Sequence, residues 1–472
     1  MRTMSFVVGL FAATAAVLPA AAQPAATGPV VRLDGYQVVR VEIGSATDIE
    51  TMLGFGADQW SHHIETGGSA DFMIAPEMLD ALNASGLVYE VVNENVQAAV
   101  DAENARLRGG GGARGWFDDF KRLNEINDYM DVLAAGNPGI AEIINVGTSI
   151  QGRPIRGLRI ANDAYGEAAC KPSVLFNSMQ HAREWISPMV AMYTADQLLA
   201  GYGVDQNITD LIDRTEILIV PVVNPDGYEY TWTTYRYWRK NRRNNGGGSY
   251  GVDLNRNWGY AWGNNNGSSG DKWSDVYRGP SAFSEPELHG LRDWSNSRPR
   301  MAAQVDMHSY GQWVLWPWGY TGAQPPYAQT ITSLGNEIEQ IIKSVHNRTY
   351  TAGQAYTLLY PVSGGALDWF LGGADAINYT LELRGSDFVI PPNQIIPNGE
   401  EIFPAMVHFA EWAVANRGAP GDFNMDARID TLDVLTFLNA WNNSEPGGDF
   451  NGDGVFNTQD VLAFLNAWNL GC

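Results

Sequence analysis

Cysteine is almost missing: the chain has two in 472 residues. A disulfide framework is therefore excluded, and the fold must rest on packed cores. Positive charge is also scarce, with 30 Lys and Arg against 53 Asp and Glu, a net charge of −23. That balance argues against nucleic acid and against anionic membrane surfaces as partners of the whole molecule. Past residue 25 no apolar run is long enough to span a bilayer. What the chain does hold is apolar mass. Hydrophobic residues make up 45%, with 16 Trp, 20 Tyr and 17 Phe, which implies large cores and an aromatic-lined cleft. The length suits about three domains at roughly 150 residues each.

Residues 1–22 read MRTMSFVVGLFAATAAVLPAAA. Arg2, a short apolar stretch and Ala20-Ala21-Ala22 make an export signal with cleavage after Ala22. A Pro/Ala-rich spacer follows instead of a stop-transfer pattern, so a membrane anchor is the weaker reading. The product is expected outside the cell.

Residues 30–100 read as a small α/β segment. Tyr36–Ile43, Asp71–Ile74 and Leu87–Val92 are strand-like, and Ala46–Leu53 and Pro76–Leu82 are short helices, Ser45 lying near the first one's cap. A helical stretch runs on to Arg108. Residues 109–115, GGGGARG, flanked by Arg106, Arg108 and including Arg114, form a flexible, protease-accessible joint. It is either a plain linker or a cleavable joint between a propeptide and an enzyme.

Residues 116–417 alternate strands and helices. Strand-like runs are Ile140–Val146, Ser173–Asn177, Glu216–Val222, Met301–Met307 and Ile377–Leu383. Helical stretches are Phe117–Ala135, Pro188–Tyr202, Glu285–Ser295, Ala328–His346 and Ile402–Asn416. The alternation implies an α/β domain with a mostly parallel or mixed sheet, and binding residues in loops at the C-terminal ends of its strands.

Asp422–Trp441 (DFNMDARIDTLDVLTFLNAW) returns as Asp449–Trp468 (DFNGDGVFNTQDVLAFLNAW), 27 residues on. Two copies of one unit are expected to pack together. Oxygen side chains stand at loop positions 1, 3, 5, 9 and 12: Asp422, Asn424, Asp426, Asp430 and Asp433, then Asp449, Asn451, Asp453, Asn457 and Asp460. Hard Ca²⁺ wants several oxygens about one point, with a backbone carbonyl at position 7, here Arg428 and Val455. Gly454 fills the turn position that Ala427 holds in the first copy, which makes the first site the weaker one. Each loop is followed by one helix and preceded by none. These units resemble a dockerin, which implies up to two Ca²⁺ and a cohesin-like or cell-surface anchoring partner.

His181-Ala182-Arg183-Glu184 follows the strand Ser173–Asn177. His and Glu three apart on a turn can reach one Zn²⁺. A third ligand, His308, stands just after Met301–Met307, leaving a fourth position for water. Alone, HxxE is a weak signal. With it come VVNPDG at 222–227, RYWRKNRR at 236–243, DLNRNW at 253–258, YPVSGGALD at 360–368 and TLELR at 380–384. In this order the segments resemble a zinc carboxypeptidase of the A/B type, over Trp116 to about Asn416. Residues 24–108 also fit that family's inhibitory prosegment.

The resemblance implies a mixed-sheet α/β enzyme domain at 116–417, flanked by helices. A small α/β prosegment at 23–108 and the joint at 109–115 precede it, and a small helical module at 420–472 follows. It implies one zinc on His181, Glu184 and His308, and Glu382 as general base. Arg239 would polarise the scissile carbonyl, and Arg183, Asn255, Arg256, Ser309 and Tyr360 would bind substrate. Asp253 would orient His181, and Leu367, with Ala355 and Thr380, would line the pocket for the C-terminal side chain. Peptides or proteins are the implied substrates, and the enzyme unit is expected to be a monomer. Non-proline cis peptides are implied at Ser309–Tyr310, Pro317–Trp318 and Arg384–Gly385.

The residue chemistry agrees. A carboxylate beside an acidified water can take its proton and return it to the leaving amine. A guanidinium such as Arg239 can hold a developing oxyanion. Arg256 suits capture of a free carboxylate, which guanidinium grips in a fork. Three other readings compete. RYWRKNRR can be a nucleic-acid patch, which the acidic background opposes. Trp313, Trp316 and Trp318 can be a carbohydrate platform, though core packing fits aromatics after a strand better. Asn207-Ile208-Thr209 matches a glycosylation pattern of little weight. Two other functions, a peptidoglycan hydrolase and a non-catalytic adhesion protein, fit less well: the carboxylate-binding set is complete and no ligand is lost.

Overall fold

The unbroken apolar runs become central strands. In the computed structural model, which describes residues 29–61, 67–109, 115–166, 169–298, 300–426, 428–451 and 455–471, Ser173–Ser178, Glu216–Val220, Met301–Ser309 and Ile377–Leu383 are buried at every position. Strands covered on both faces have no polar side to alternate with. These four lie parallel at the centre of an eight-stranded sheet. Its spatial order is Thr351–Gln354, Trp313–Trp316, Ile377–Leu383, Met301–Ser309, Ser173–Ser178, Glu216–Val220, Pro154–Ile160 and Ala141–Thr148. Antiparallel pairing of Trp313–Trp316 with Ile377–Leu383, and of Pro154–Ile160 with both its neighbours, makes the sheet mixed.

Helices cover both faces. Ile186–Gly201, Ala328–His346 and Ile395–Arg417 pack over the larger core, and Pro286–Ser297 and Ala366–Ala374 over the smaller. Ile395–Arg417 starts seven residues ahead of the expected Ile402, because Pro397 and Gly399 disguise its first turns. Gly399 is needed there: a Cβ would lie 2.4 Å from the Tyr193 ring. The strand carrying His308 also runs two residues beyond the expected Met307, so His308 sits inside the strand.

Residues 29–108 form their own four-stranded antiparallel sheet, ordered Asp58–Gln59, Ser69–Ile74, Gln37–Glu42 and Tyr89–Asn93. Helix Ala46–Gly54 begins at a Ser45/Asp48 capping box. Helix Val96–Arg108 leads to the glycine joint, of which residues 110–114 lie outside the described residues. The export signal at 1–22, and Ala427, Asp453, Gly454 and Cys472, lie outside them as well.

The two C-terminal repeats pack on each other. Phe437 and Phe464 stack at 4.2 Å, edged by Phe423 and Phe450. Trp441 donates its indole N–H to the carbonyl of Asn457, and Trp468 donates to that of Asp430, so each helix ties down the other's loop. Cys170 is disulfide-bonded and packs, buried, with Ala419 and Ile429. Ser309–Tyr310 and Pro317–Trp318 are cis; Arg384–Gly385 is not, contrary to expectation. Among the described residues no helix is long and apolar enough to cross a membrane.

Candidate metal centre

Three parallel strands end at one point. His181 and Glu184 lie in the loop after Ser173–Ser178, and His308 is next to last in Met301–Ser309. Glu382, in Ile377–Leu383, is the direct register partner of His308. His181 Nδ1 lies 2.8 Å from Glu184 Oε1, and His308 Nδ1 lies 3.0 Å from both Glu184 Oε2 and His181 Nδ1. All three side chains are buried. Among the described residues this is the one cluster of three or more His, Cys, Asp or Glu whose ligand atoms lie within 4.8 Å of one another.

The donor set fits zinc: two imidazoles and a carboxylate converge, and both outer ring nitrogens face carboxylates. His181 Nε2 is 3.1 Å from Asp253 Oδ1 and His308 Nε2 is 2.8 Å from Asp306 Oδ2. The backbone N–H of Ser309 donates to Glu184 Oε2 at 3.2 Å, so Ser309 steadies a ligand through its main chain. Burial works to raise the Glu184 pKa, but His181 and His308 outweigh it and hold the carboxyl well below the usual range. Burial likewise opposes ionisation of Asp253, and the Arg239 guanidinium, then His181, hold it well below that range. Glu382 goes the other way: burial pushes it well above an ordinary Glu.

One cavity joins these groups. His181, Glu382, Arg239, Asn255, Arg256 and Tyr360 line it, together with Thr380 and the apolar cluster of Leu367, Ala355 and Leu315. Arg256 donates to the Tyr360 hydroxyl at 2.9 Å and to the Asn255 carbonyl at 2.7 Å. Asn255 Oδ1 accepts the Ala366 N–H at 2.8 Å, fixing the first turn of helix Ala366–Ala374, which carries Leu367. Asp368 also lines the cavity; burial pushes its pKa up to about 7, and its oxygens accept the Gly319 and Tyr320 N–H groups.

The basic run at 236–243 faces inward. Arg236 pairs with Glu103 at 2.6 Å, Arg239 with Asp253 at 2.9 Å and Arg243 with Glu285 at 2.7 Å, while Arg242 lies over the Tyr230 and Trp238 rings. Its charges are spent on internal partners, so it is no surface patch. Trp316 and Trp318 are buried in the core, which removes the carbohydrate-platform reading.

The N-terminal unit sits on the site. Arg183 donates to Asp58 at 2.7 Å, so a carboxylate of residues 29–108 already holds a side chain expected to bind substrate. Burial pushes Asp58 up to about 6 against the pull of Arg183. Trp60 stacks on Tyr237 at 4.9 Å and edges Phe388 at 5.4 Å. Asp58 had no sequence signal, since nothing local marks an acid that will meet a distant arginine. Asp306 had one: two residues before His308 in a strand, it shares that residue's face.

The repeat loops hold themselves together without forming such a cluster among the described residues. Asp433 accepts the N–H groups of Asn424 and Asp430 at 3.1 and 2.8 Å, and Asp460 accepts those of Asn451 and Asn457 at 3.3 and 2.8 Å. Asp430 and Asn457 cap the two helices through the N–H groups of Leu432 and Gln459. Asp422 accepts the Asp426 N–H at 2.9 Å.

The zinc carboxypeptidase family profile matches residues 126–405, and that of the carboxypeptidase activation peptide matches residues 47–103. Zinc carboxypeptidase A 1 of Anopheles gambiae is 34% identical over 81% of this chain and 90% of its own length. Carboxypeptidase A2 of Rattus norvegicus is 31% identical over 78% of this chain and 91% of its own. Among solved structures, carboxypeptidase A from Helicoverpa armigera superposes with a TM-score of 0.74 at 32% identity, covering 81% of this chain and 98% of that one. The thrombin-activatable fibrinolysis inhibitor superposes at 0.73 with 27% identity, covering 80% and 99%.

Asp58→Ala leaves Arg183 buried with no counter-charge. Breaking a buried pair costs about 3–5 kcal/mol. After a cut in the 109–115 joint, the variant N-terminal unit should be held at least about 10²-fold more weakly. Dissociation followed by gel filtration measures this; unchanged retention would show that the aromatic contacts and the Arg236–Glu103 pair hold the unit without Asp58.

Proposed function

The chain belongs to the zinc carboxypeptidase family and carries that family's activation peptide, and from this we propose an exported exopeptidase that removes apolar or aromatic C-terminal residues from peptides. One observation carries the reading: the cavity lined by His181 and Glu382 is also lined by Arg256, Asn255 and Tyr360, which can grip a terminal carboxylate, and by the apolar Leu367, Ala355 and Leu315. A bond next to a chain end is selected when groups beyond it grip a free carboxylate. We assign residues 1–22 to export, 23–108 to the prosegment, 109–115 to the activation joint, 116–417 to the enzyme and 420–472 to the repeat module.

His181, Glu184 and His308 would hold the zinc, which when bound supplies Lewis acidity and lowers the pKa of water toward about 7. Arg256, with Asn255 and Tyr360, takes the substrate's terminal carboxylate. Arg239 faces the scissile carbonyl and steadies the charge that develops on it. Glu382, raised by its burial, accepts the proton of the attacking water and passes it to the leaving amine. Until the joint is cut, Asp58 and Trp60 stand over Arg183 and Tyr237, and access to the cleft is restricted.

The repeat module is read as a calcium-dependent docking unit. Leu432, Leu435 and Leu438 on one helix and Leu462 and Leu465 on the other stay exposed. Such apolar faces mark interaction sites, and a cohesin-like or surface partner fits them.

Three results test these readings. Glu382→Gln keeps the shape and removes the base, so kcat should fall at least about 10²-fold; near-normal turnover removes Glu382 from the mechanism. Peptides ending in Phe should be cleaved with kcat/KM on the order of tenfold or more above matched peptides ending in Arg, because Leu367, Ala355 and Leu315 are apolar and the nearby Asp368 already spends its oxygens on the Gly319 and Tyr320 N–H groups. Equal values, or a preference for Arg, defeat the apolar assignment. Calorimetric titration of chelator-treated protein should reveal up to two Ca²⁺ sites, abolished by Asp422→Ala with Asp449→Ala; no heat of binding ends the calcium reading.

A further inference from the structure

Asp306 and His308 are two residues apart in one strand, so both side chains point to the same face. Asp306 is fully buried and sits among three polar groups, one of which is His308 Nε2 at 2.8 Å. The others are the side-chain amides of Asn177, at 2.7 Å, and Gln180. Both amides are locked as donors. Asn177 Oδ1 is occupied by the Gln304 amide at 2.7 Å, which turns the Asn177 NH₂ toward Asp306. Gln180 Oε1 is occupied by the Trp258 indole N–H at 3.0 Å, which turns the Gln180 NH₂ the same way.

Asp306 is therefore the acceptor of all three contacts. Its partner nitrogen on His308 must carry a hydrogen, and a neutral imidazole then has its lone pair on Nδ1. Nδ1 is the atom that faces Glu184 and His181. Asn255 Nδ2 also approaches His308 Nε2, at 3.2 Å. Since Asn255 Oδ1 holds the Ala366 N–H, that approach brings two donors together and is not a hydrogen bond in this tautomer.

We propose that Asp306 is a positioning residue of the metal centre: with Asn177 and Gln180 it fixes the tautomer and ring plane of His308 and makes Nδ1 a better ligand. This rests on the zinc reading of His181, Glu184 and His308. The network also ties the ligand to the DLNRNW segment through Trp258, one residue from Asn257 and two from Arg256. The strand that presents the metal ligand and the segment that presents the carboxylate grip are thereby held in one frame.

The test uses the full chain, stripped of metal and reloaded with zinc, as wild type and as Asp306→Asn. The substitution keeps size but removes the charge and gives His308 a weaker acceptor. Zinc affinity, measured by competition with a chromogenic chelator, should fall about 10- to 100-fold, the usual effect of losing such a support. Zinc should raise the melting midpoint of the variant by less than that of wild type, a difference that a merely structural loss, equal with and without metal, would not produce. Affinity within twofold of wild type overturns the proposal. Imidazole nitrogen NMR of the wild-type zinc protein reads the tautomer independently of any variant. A hydrogen on His308 Nε2 supports the proposal, and one on Nδ1 overturns it. Wild-type protein that binds no zinc at all would instead sink the reading of the centre itself.

Discussion

Two imidazole nitrogens 3.0 Å apart in a dry interior are the constraint on which the centre depends. Their lone pairs repel unless a proton or a metal ion lies between them. The surrounding residues serve that convergence. Asp253 and Asp306 hold the outer nitrogens, Glu184 closes the third side, and the Ser309 N–H steadies Glu184. Parallel strands bring these groups together because their C-terminal ends share one edge of the sheet.

The polar frame extends outward from there. Asp253 holds both His181 and Arg239, so a ligand of the metal and the guanidinium facing the cleft share one carboxylate. Asn255 contacts the His308 ring on one side and anchors the first turn of the helix that carries Leu367 on the other. The candidate metal site, Arg239 and the helix that carries Leu367 are thus parts of one hydrogen-bonded body. A shift in any strand end would move all of them.

Much of this was legible in the residues. Buried parallel strands read as unbroken apolar runs, so Ser173–Ser178, Met301–Ser309 and Ile377–Leu383 were found to within two residues. The short strands Trp313–Trp316 and Thr351–Gln354 were missed: one is an aromatic run with no alternation, and the other is four residues with no large apolar side chain. Pro397 and Gly399 hid the first turns of Ile395–Arg417 because local propensity opposes a helix that tertiary packing against Tyr193 enforces. The His/Glu/His set was visible as a pattern, but the pairing of Arg183 with Asp58, across 125 positions of sequence, was not. Contacts between elements distant in sequence leave no periodicity behind.

The acidity of the chain takes on meaning once its basic residues are located. Of the run at 236–243, Arg236, Arg239 and Arg243 point inward to carboxylates, and Arg183 does the same. Two of those partners, Asp58 and Glu103, belong to the N-terminal unit. Removing that unit would take from Arg183 and Arg236 the carboxylates they pair with, in a molecule whose net charge is −23. Buried cations without partners are costly, so the exposed cleft would be the place on this protein with the strongest demand for an anion. In the proposed reaction the substrate is defined by a terminal carboxylate, and Arg256 and Arg183 were the side chains expected to meet its charge. The N-terminal unit then inhibits by supplying, from its own Asp58, the kind of group that the cleft is built to receive.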